Sequence, residues 1–274
     1  MLVWADGMSG TIGGGALEHQ AMQAARANLT VGRFDVSHHP LGPALGQCCG
    51  GAVSLLTETY DLHAAEAVNK DVVIRGAGGM PLAVSRLQAA ARGQGQRPIA
   101  QWIDGWMVEP VSKPQRDIWI WGAGHVGRAL AATLAPLPDV AVTVVDTSAE
   151  RFTDELPQGV ERLVAADPTR LAKHAPVGGE HLIVTYSHSL DLALCHALLC
   201  HSFSFAGLIG SATKWARFRK RLAELGHSAP QVNRITCPIG RPDLGKHPQQ
   251  IALGVATDLL DRHTRATTAL KGHG

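Results

Sequence analysis

The chain has 274 residues, of which 45% are hydrophobic and 18% are charged, and its formal net charge is +2 at pH 7. This composition is typical of a soluble globular protein of up to two modest domains, and the small net charge excludes nucleic-acid or membrane binding through overall basicity. The sequence has no apolar run of transmembrane length and no recognisable secretory signal. Five cysteines, with Cys48 and Cys49 adjacent, argue against a disulfide framework and predict a cytoplasmic protein with free thiols.

The first predicted domain, residues 1–107, is a small glycine-rich α/β domain. Apolar runs at 52–56 and 71–74 predict short strands between glycine-rich turns. Residues 16–27 predict a helix, because Ala, Leu, Met and Glu dominate this segment.

Three glycines, Gly13, Gly14 and Gly15, stand at the start of that helix. Their backbone N–H groups can cradle an anion, or the segment can be an ordinary turn into an amphipathic helix. Glu18 lies in the first helical turn, where a carboxylate complements the helix dipole.

Two cysteines lie in a glycine-rich loop formed by Gln47, Cys48, Cys49, Gly50 and Gly51. Accessible thiolates beside bare backbone suit metal binding or sulfur transfer. The alternative is a buried pair of cysteines that behave as small hydrophobic residues.

Residues 108–116 predict a linker, because two prolines and several polar residues interrupt any periodicity. Strand and helix patterns alternate in the second predicted domain, residues 117–274, which indicates a Rossmann-like, doubly wound parallel sheet. The candidate strands are Ile118–Trp121, Val140–Val145, Arg162–Ala165, His181–Tyr186 and Phe205–Ile209. The candidate helices begin near His125, Leu190, Ala212 and Pro248.

A glycine motif connects the first strand of this domain to its first helix. Gly122, Gly124 and Gly127 have the GxGxxG spacing of dinucleotide-binding turns, with His125 at the start of the helix. Asp146 follows the next strand, where a carboxylate can accept hydrogen bonds from a ribose. The alternative is a glycine-rich turn that binds nothing.

Polar residues follow two later strands, at the edge where doubly wound sheets bind ligands. His188 and Asp191 come after the fourth strand, and Asp191 can alternatively be a simple first-turn acid. Gly210 and Ser211 begin the next helix, with Lys214 one turn later, as in a phosphate site. The alternative for this helix is a solvated basic face.

One helix carries Cys195, His196, Cys200 and His201. Only His196 and Cys200 share a face, which is too few ligands for a zinc site, so we interpret this helix as packing on the sheet. The sequence shows no paired carboxylates and no nucleophile–histidine pattern, and we therefore predict no catalytic residue.

These segments together resemble the xanthine dehydrogenase accessory proteins, XdhC, and the related CoxI proteins. The resemblance rests on motifs in the family's order: Gly10–Glu18, Gln47–Gly51, Trp121–Gly127, Val145-Asp146, Thr185–Asp191, Gly207–Ser211 and Cys237–Gly240. Two features differ from the family. A preceding segment of the family is absent here, which suggests an incomplete first domain, and Tyr186 replaces a usual histidine.

The resemblance implies a chaperone that binds molybdenum cofactor (molybdopterin), protects it for sulfuration by a cysteine desulfurase and inserts it into the molybdenum subunit of xanthine dehydrogenase. It further implies a homodimer, a nucleotide or phosphate at the Rossmann site, and contact of Cys48 or Cys49 with molybdenum. The glycine motif and Asp146 also suit an NAD(P)-dependent oxidoreductase. A third hypothesis is a nucleotide-sensing or docking module in which the second domain is a scaffold.

Overall fold

In the computed structural model, the described residues are 1–29, 34–41, 51–66, 68, 71–76, 78–111, 113–152 and 156–271. The chain forms two compact units, Met1–Ser112 and Lys113–Gly274. Each unit has its own buried residues and is described separately.

The N-terminal unit consists of short antiparallel sheets and helices. Its described elements are β1 (Leu2–Trp4), β2 (Gly7–Ser9), α1 (Gly15–Ala27), β3 (Phe34–Pro40), β4 (Ala52–Glu58), α2 (Leu62–Glu66), β5 (Val72–Gly76), α3 (Leu82–Gln94), β6 (Gln101–Ile103) and β7 (Trp106–Pro110). Strand β1 pairs with β2, β3 pairs with β4, and β7 lies between β5 and β6. Val72, Val84 and Val108 form a small buried cluster that packs α3 on this last sheet.

The start of the predicted linker belongs to a strand. Residues Val108 to Pro110 form the end of β7, and Val108 is fully buried. Pro110 pairs with Val72 of β5 on one side only, because β6 begins at Gln101, opposite Val108. A proline is tolerated there because that side of β7 has no β6 residue to receive an N–H group. Pro110, one of the two prolines that suggested a linker, therefore marks the end of a strand, and Pro114 lies between β7 and β8.

The C-terminal unit is a six-stranded parallel sheet covered by helices. Its elements are β8 (Arg116–Trp121), α4 (His125–Leu134), β9 (Val140–Asp146), β10 (Glu161–Val164), β11 (Glu180–Ile183), α5 (His188–Leu199), β12 (Phe205–Leu208), α6 (Ala212–Glu224), α7 (Ala229–Val232), β13 (Ile235–Thr236) and α8 (Pro248–Lys271). The strand order is β10-β9-β8-β11-β12-β13, with every pair parallel. This order confirms the predicted Rossmann-like fold and places a switch point between β8 and β11.

Both faces of this sheet are buried. Alternate residues of β8 point to opposite faces: Ile118 and Ile120 pack with α4 and α8, and Trp119 and Trp121 pack with α5 and α6. A parallel sheet covered on both sides needs apolar residues at consecutive positions, which explains the uninterrupted run at the end of β8. The ends of the strands are therefore where a ligand can reach the sheet.

The structure differs from the sequence-based expectation at the end of one strand and in an additional strand. Strand β11 ends at Ile183 rather than Tyr186, because Thr185 to Ser187 form a hydrogen-bonded turn and Ser187 caps α5. Strand β13 was not predicted, since a two-residue strand shows no periodicity. Within the described residues, no helix has both the length and the apolar character needed to cross a bilayer.

Candidate functional site

The glycine turn after β8 is shaped by two close backbone contacts. Gly122 has a φ of 120°, and a Cβ there would lie 2.6 Å from the Val184 carbonyl oxygen. A Cβ at Gly127 would lie 1.8 Å from the Gly122 carbonyl oxygen, so the first turn of α4 packs directly on the end of β8. The first and third glycines of the motif are therefore required by packing.

Gly124 differs from the other two glycines because the space beside it is open. A Cβ at this position would meet no atom within 4 Å, and its φ of −68° suits any residue. Gly124 is the N-cap of α4 and provides no side-chain cap, so the N–H groups of the first turn remain available to an anion. His125 is exposed beside this turn, and Arg128 donates from Nη1 to the Ala123 carbonyl at 2.8 Å.

Asp146 at the end of β9 is buried and bonded within the protein. Its Oδ2 accepts from the Ala123 N–H at 2.6 Å, and its Oδ1 accepts from the Thr147 N–H at 2.6 Å. The Nε of Arg151 lies 2.8 Å from Oδ1 as an ion pair that lacks hydrogen-bond alignment. Arg151 also stacks over the ring of Tyr186, at 4.1 Å from its centroid. The Asp146 carboxylate thus connects the glycine turn to β9 and pairs with the guanidinium of Arg151.

A crevice lies where the loops after β11 and β12 meet, and its volume is about 300 Å³. Its lining residues are Thr185, Tyr186, His188, Ile209, Gly210, Ser211 and Lys214. The structure therefore brings together two groups of candidates that lie more than twenty residues apart in the sequence. His188 and Ser211 are exposed, and Ser211 caps α6 by accepting from the Lys214 N–H at 3.2 Å.

Asp191 and Lys214 form a buried ion pair beneath this crevice. Asp191 is fully buried, and its Oδ2 accepts from the Lys214 Nζ at 2.6 Å. Its Oδ1 accepts from the Thr185 hydroxyl at 2.7 Å and from the Thr185 N–H at 3.2 Å. The Lys214 Nζ also donates to the Ile209 carbonyl at 2.8 Å. Lys214 therefore connects the ends of β11 and β12 and is already neutralised.

Gly210 makes room for this lysine. A Cβ at Gly210 would lie 2.8 Å from the Lys214 Cδ and 3.4 Å from the Cys237 Sγ. Both Cys195 and Cys237 are free thiols in this region. Burial raises the pKa of Cys195 and raises the pKa of Cys237 to about 11, so both stay protonated at neutral pH. These two thiols act as small apolar groups.

In the N-terminal unit, Glu18 folds back onto the glycine turn that precedes α1. Its Oε2 accepts from the Ile12 N–H at 2.8 Å, from the Gly14 N–H at 3.2 Å and from the Thr11 hydroxyl. These bonds, that from Thr11 first, lower the pKa of Glu18. Gly13, Gly14 and Gly15 all have positive φ, so this turn requires glycine. The Glu18 carboxylate therefore already accepts from two backbone N–H groups, those of Ile12 and Gly14, that an external anion would otherwise use.

The cysteine loop stays a prediction. Gln47, Cys48, Cys49 and Gly50 lie outside the described residues, and Gly51 has a φ of 116° just before β4. Sequence reasoning did not find Arg151, which contacts both Asp146 and Tyr186. No spacing rule connects these three residues, since Asp146 ends β9, Arg151 lies in the segment that follows it, and Tyr186 lies in the loop after β11.

Comparisons with known proteins agree with this architecture. Residues 118–259 match the model of the XdhC Rossmann domain, and residues 1–39 match the model of the XdhC and CoxI family. The uncharacterized protein YqeB of Escherichia coli K12 is 25% identical over 279 residues, which cover 98% of this chain and 41% of that protein. The chain thus spans less than half the length of this curated relative.

A solved structure of similar length shows the same fold. A crystal structure described as a xanthine dehydrogenase from Bacillus halodurans aligns over 92% of this chain and 82% of that chain, at 17% identity and a TM-score of 0.60. A myo-inositol dehydrogenase from Corynebacterium glutamicum aligns over 44% and 35%, at 15% identity and a TM-score of 0.34, which carries no inference. Because the Rossmann-domain model covers more than half of the residues, this chain belongs to the XdhC and CoxI family.

Proposed function

We propose that this protein is a cytoplasmic accessory factor that binds molybdenum cofactor and supplies it, after sulfuration by a cysteine desulfurase, to the molybdenum subunit of a xanthine dehydrogenase. Family membership supports an accessory role. The observation that carries the ligand assignment is the uncapped N-terminus of α4 at the switch point, where Gly124 faces open space. The proposal includes a homodimer.

The described residues fit the anionic end of this cofactor. Molybdopterin ends in a phosphate, and free N–H groups at a helix N-terminus bind phosphate well. Because Lys214 is neutralised by Asp191, the backbone amides at Gly124 and His125, rather than this lysine, provide the positive potential. The crevice beside β11 and β12 adds the Thr185 backbone, the His188 ring and the Ser211 hydroxyl for the pterin.

The protein's task in this proposal is to bind, orient and shield. The cofactor, when bound, supplies the molybdenum centre that the target enzyme uses. Glycines at 122 and 127 fix the turn, and Gly124 leaves room for the phosphate. We assign the molybdenum end to Cys48 or Cys49, on the basis of the family resemblance and the affinity of thiolates for soft metals.

An NAD(P)-dependent oxidoreductase is the second candidate, and the acid at the end of β9 favours it. In dinucleotide-binding enzymes this carboxylate accepts from the ribose hydroxyls. Here Asp146 is 3% exposed, bonded to Ala123 and Thr147, and paired with Arg151. Asp146 would have to give up some of these contacts to bind a ribose, so the structure supports the accessory role better.

The test is anaerobic retention of molybdenum cofactor on a desalting column, with pterin and molybdenum both quantified. We expect the wild type to retain close to one equivalent. Gly124→Ala should fold normally, because its Cβ meets no protein atom, yet retain about tenfold less, since the methyl group occupies the phosphate position. Gly93→Ala is the matched control, because a Cβ there also meets nothing and lies on α3.

Three results would change the proposal. If the wild type retains no cofactor but binds NADH stoichiometrically, the protein is an oxidoreductase. If Gly124→Ala retains as much as Gly93→Ala, the turn does not hold the phosphate. If the Cys48→Ser/Cys49→Ser protein retains cofactor and activates its target like the wild type, the thiols have no role at the metal.

A further inference from the structure

We infer that the C-terminal unit contains a zinc site formed by His196, Cys200 and His227, at the edge of the sheet opposite the crevice. Each of these side chains offers one ligand atom, and the three atoms all lie within 4.8 Å of one another. The site goes beyond the proposed function and does not depend on it.

Helix geometry places the first two ligands together. His196 and Cys200 are four residues apart at the end of α5, so they lie on one face of the helix. Cys200 is the C-cap and is exposed, which gives a metal ion an entry path from solvent. From sequence alone this pair is too small a ligand set for zinc.

The third ligand comes from the segment after α6. Gly226 has a φ of 92° and reverses the chain, and the His227 N–H then donates to the Leu222 carbonyl at 3.1 Å. This turn directs His227 toward α5, where the side chain is only 9% exposed. The position of His227 is therefore set by backbone bonds and does not depend on a metal.

The two imidazoles already meet through ligand-type atoms. His196 Nδ1 and His227 Nε2 are 2.7 Å apart, in a hydrogen bond between rings inclined at 64°. Around zinc, with bonds of about 2.0–2.1 Å to nitrogen and about 2.3 Å to sulfur, tetrahedral ligand atoms lie about 3.3–3.6 Å apart. The two nitrogens need to move apart by about 0.6 Å to admit the ion.

The chemistry of the donor set selects a borderline-soft divalent ion. Two imidazoles and a thiolate suit Zn²⁺, with water in the fourth position. In such a site each imidazole binds the ion as the neutral ring and the thiol binds as the thiolate. Binding releases the thiol proton of Cys200 to solvent.

The zinc site lies away from the ligand crevice. Helices α5 and α6 both begin at the crevice and have 12 and 13 residues, so they run about 18–20 Å toward the far edge of the sheet. The ion would join the end of α5 to the chain that follows α6. It would stabilise the unit without contacting the ligand crevice.

The experiment titrates the metal-free full chain with Co²⁺ and Zn²⁺ in the Cys48→Ser/Cys49→Ser background, which removes the thiols of the cysteine loop. We expect one equivalent of Co²⁺, tetrahedral visible bands and a thiolate charge-transfer band in the near ultraviolet. Zn²⁺ should displace Co²⁺ and raise the midpoint of thermal unfolding. Isothermal titration calorimetry of Zn²⁺ binding, in buffers of different ionisation enthalpy, should show the release of about one proton for each ion bound.

Two variants and a control decide the outcome. Cys200→Ser changes an exposed residue and should fold, yet lose the charge-transfer band and bind about 100-fold more weakly, since even outer-sphere losses cost about 10- to 100-fold. His227→Gln should weaken binding similarly. His201→Gln is the control, because that ring bonds to the Ala175 carbonyl. Co²⁺ binding that is unchanged in Cys200→Ser, or equal in the background protein and His227→Gln, would refute the site.

Discussion

Asp191 sets the charge balance beneath the crevice. Its carboxylate is fully buried and bonds to both Thr185 and Lys214, so it acts on the loop after β11 and on α6 at once. A first-turn acid that only complemented the dipole of α5 would not need these partners. The residue therefore holds the two walls of the crevice together.

Replacing Asp191 with Asn should destabilise the C-terminal unit by about 3–5 kcal/mol, the usual cost of leaving one member of a buried ion pair uncompensated. Lys214 would then be an unpaired cation with a side chain only 10% exposed. Urea unfolding followed by fluorescence measures this free energy. Lys214→Met should also destabilise, by removing the counter-ion of Asp191.

The double variant Asp191→Asn/Lys214→Met is the control for this interpretation. Because the two side chains contact each other, its loss of stability should be smaller than the sum of the single losses. Strictly additive losses would show that the pair is not coupled and that each side chain stabilises the unit through other contacts.

At the level of elements, the turn from β8 to α4 contains two glycines that packing requires and a third that faces open space. Gly122 and Gly127 are glycines because the backbone approaches too closely for a side chain, and Gly124 faces open space. The sequence motif predicts all three alike. Only the contacts distinguish the glycines that maintain the fold from the one that is free to serve a ligand.

Gly127→Ala should therefore lower the stability of the unit by about 1–3 kcal/mol, as overpacking does, because its Cβ meets a backbone carbonyl that has little freedom to move. Gly124→Ala should leave the unfolding midpoint within error of the wild type. Thermal unfolding followed by circular dichroism compares them. Equal midpoints for both variants would mean that α4 can move away from β8 at little cost.

At the level of the whole C-terminal unit, a buried histidine makes stability depend on pH. His181 of β11 is fully buried and accepts from the Trp121 Nε1 at 3.3 Å. Its Nε2 has no hydrogen-bond partner among the described residues. Burial, with a smaller effect of His201, lowers the pKa of His181 to about 4. The folded unit thus keeps this ring neutral where an unfolded chain would protonate it.

Protonation of His181 in the unfolded chain makes the C-terminal unit less stable in acid. An unfolded histidine titrates near 6.5, so between pH 6.5 and 4 the unfolded chain binds a proton that the folded chain does not. The free energy of unfolding should therefore be about 3 kcal/mol lower at pH 4 than above pH 6.5. Urea unfolding across this range should show a shallower decline in His181→Phe.

His174→Gln is the control for this pH dependence, because His174 is exposed. Its profile should follow the wild type. If His181→Phe and the wild type lose the same free energy between pH 6.5 and 4, another group governs the acid sensitivity of the unit.

The sequence by itself determined the Rossmann-like order of elements, the glycine turn and the family, because periodicity and glycine requirements are local and the motifs follow one another along the chain. It could not show the burial of Val108 in β7 or the two residues of β13, whose places depend on strand pairing. The tertiary structure alone decided that Lys214 neutralises Asp191, that Arg151 covers Asp146 and that His227 reaches His196. Such contacts join segments up to 31 residues apart, and packing of helices on the sheet sets them, which no local pattern records.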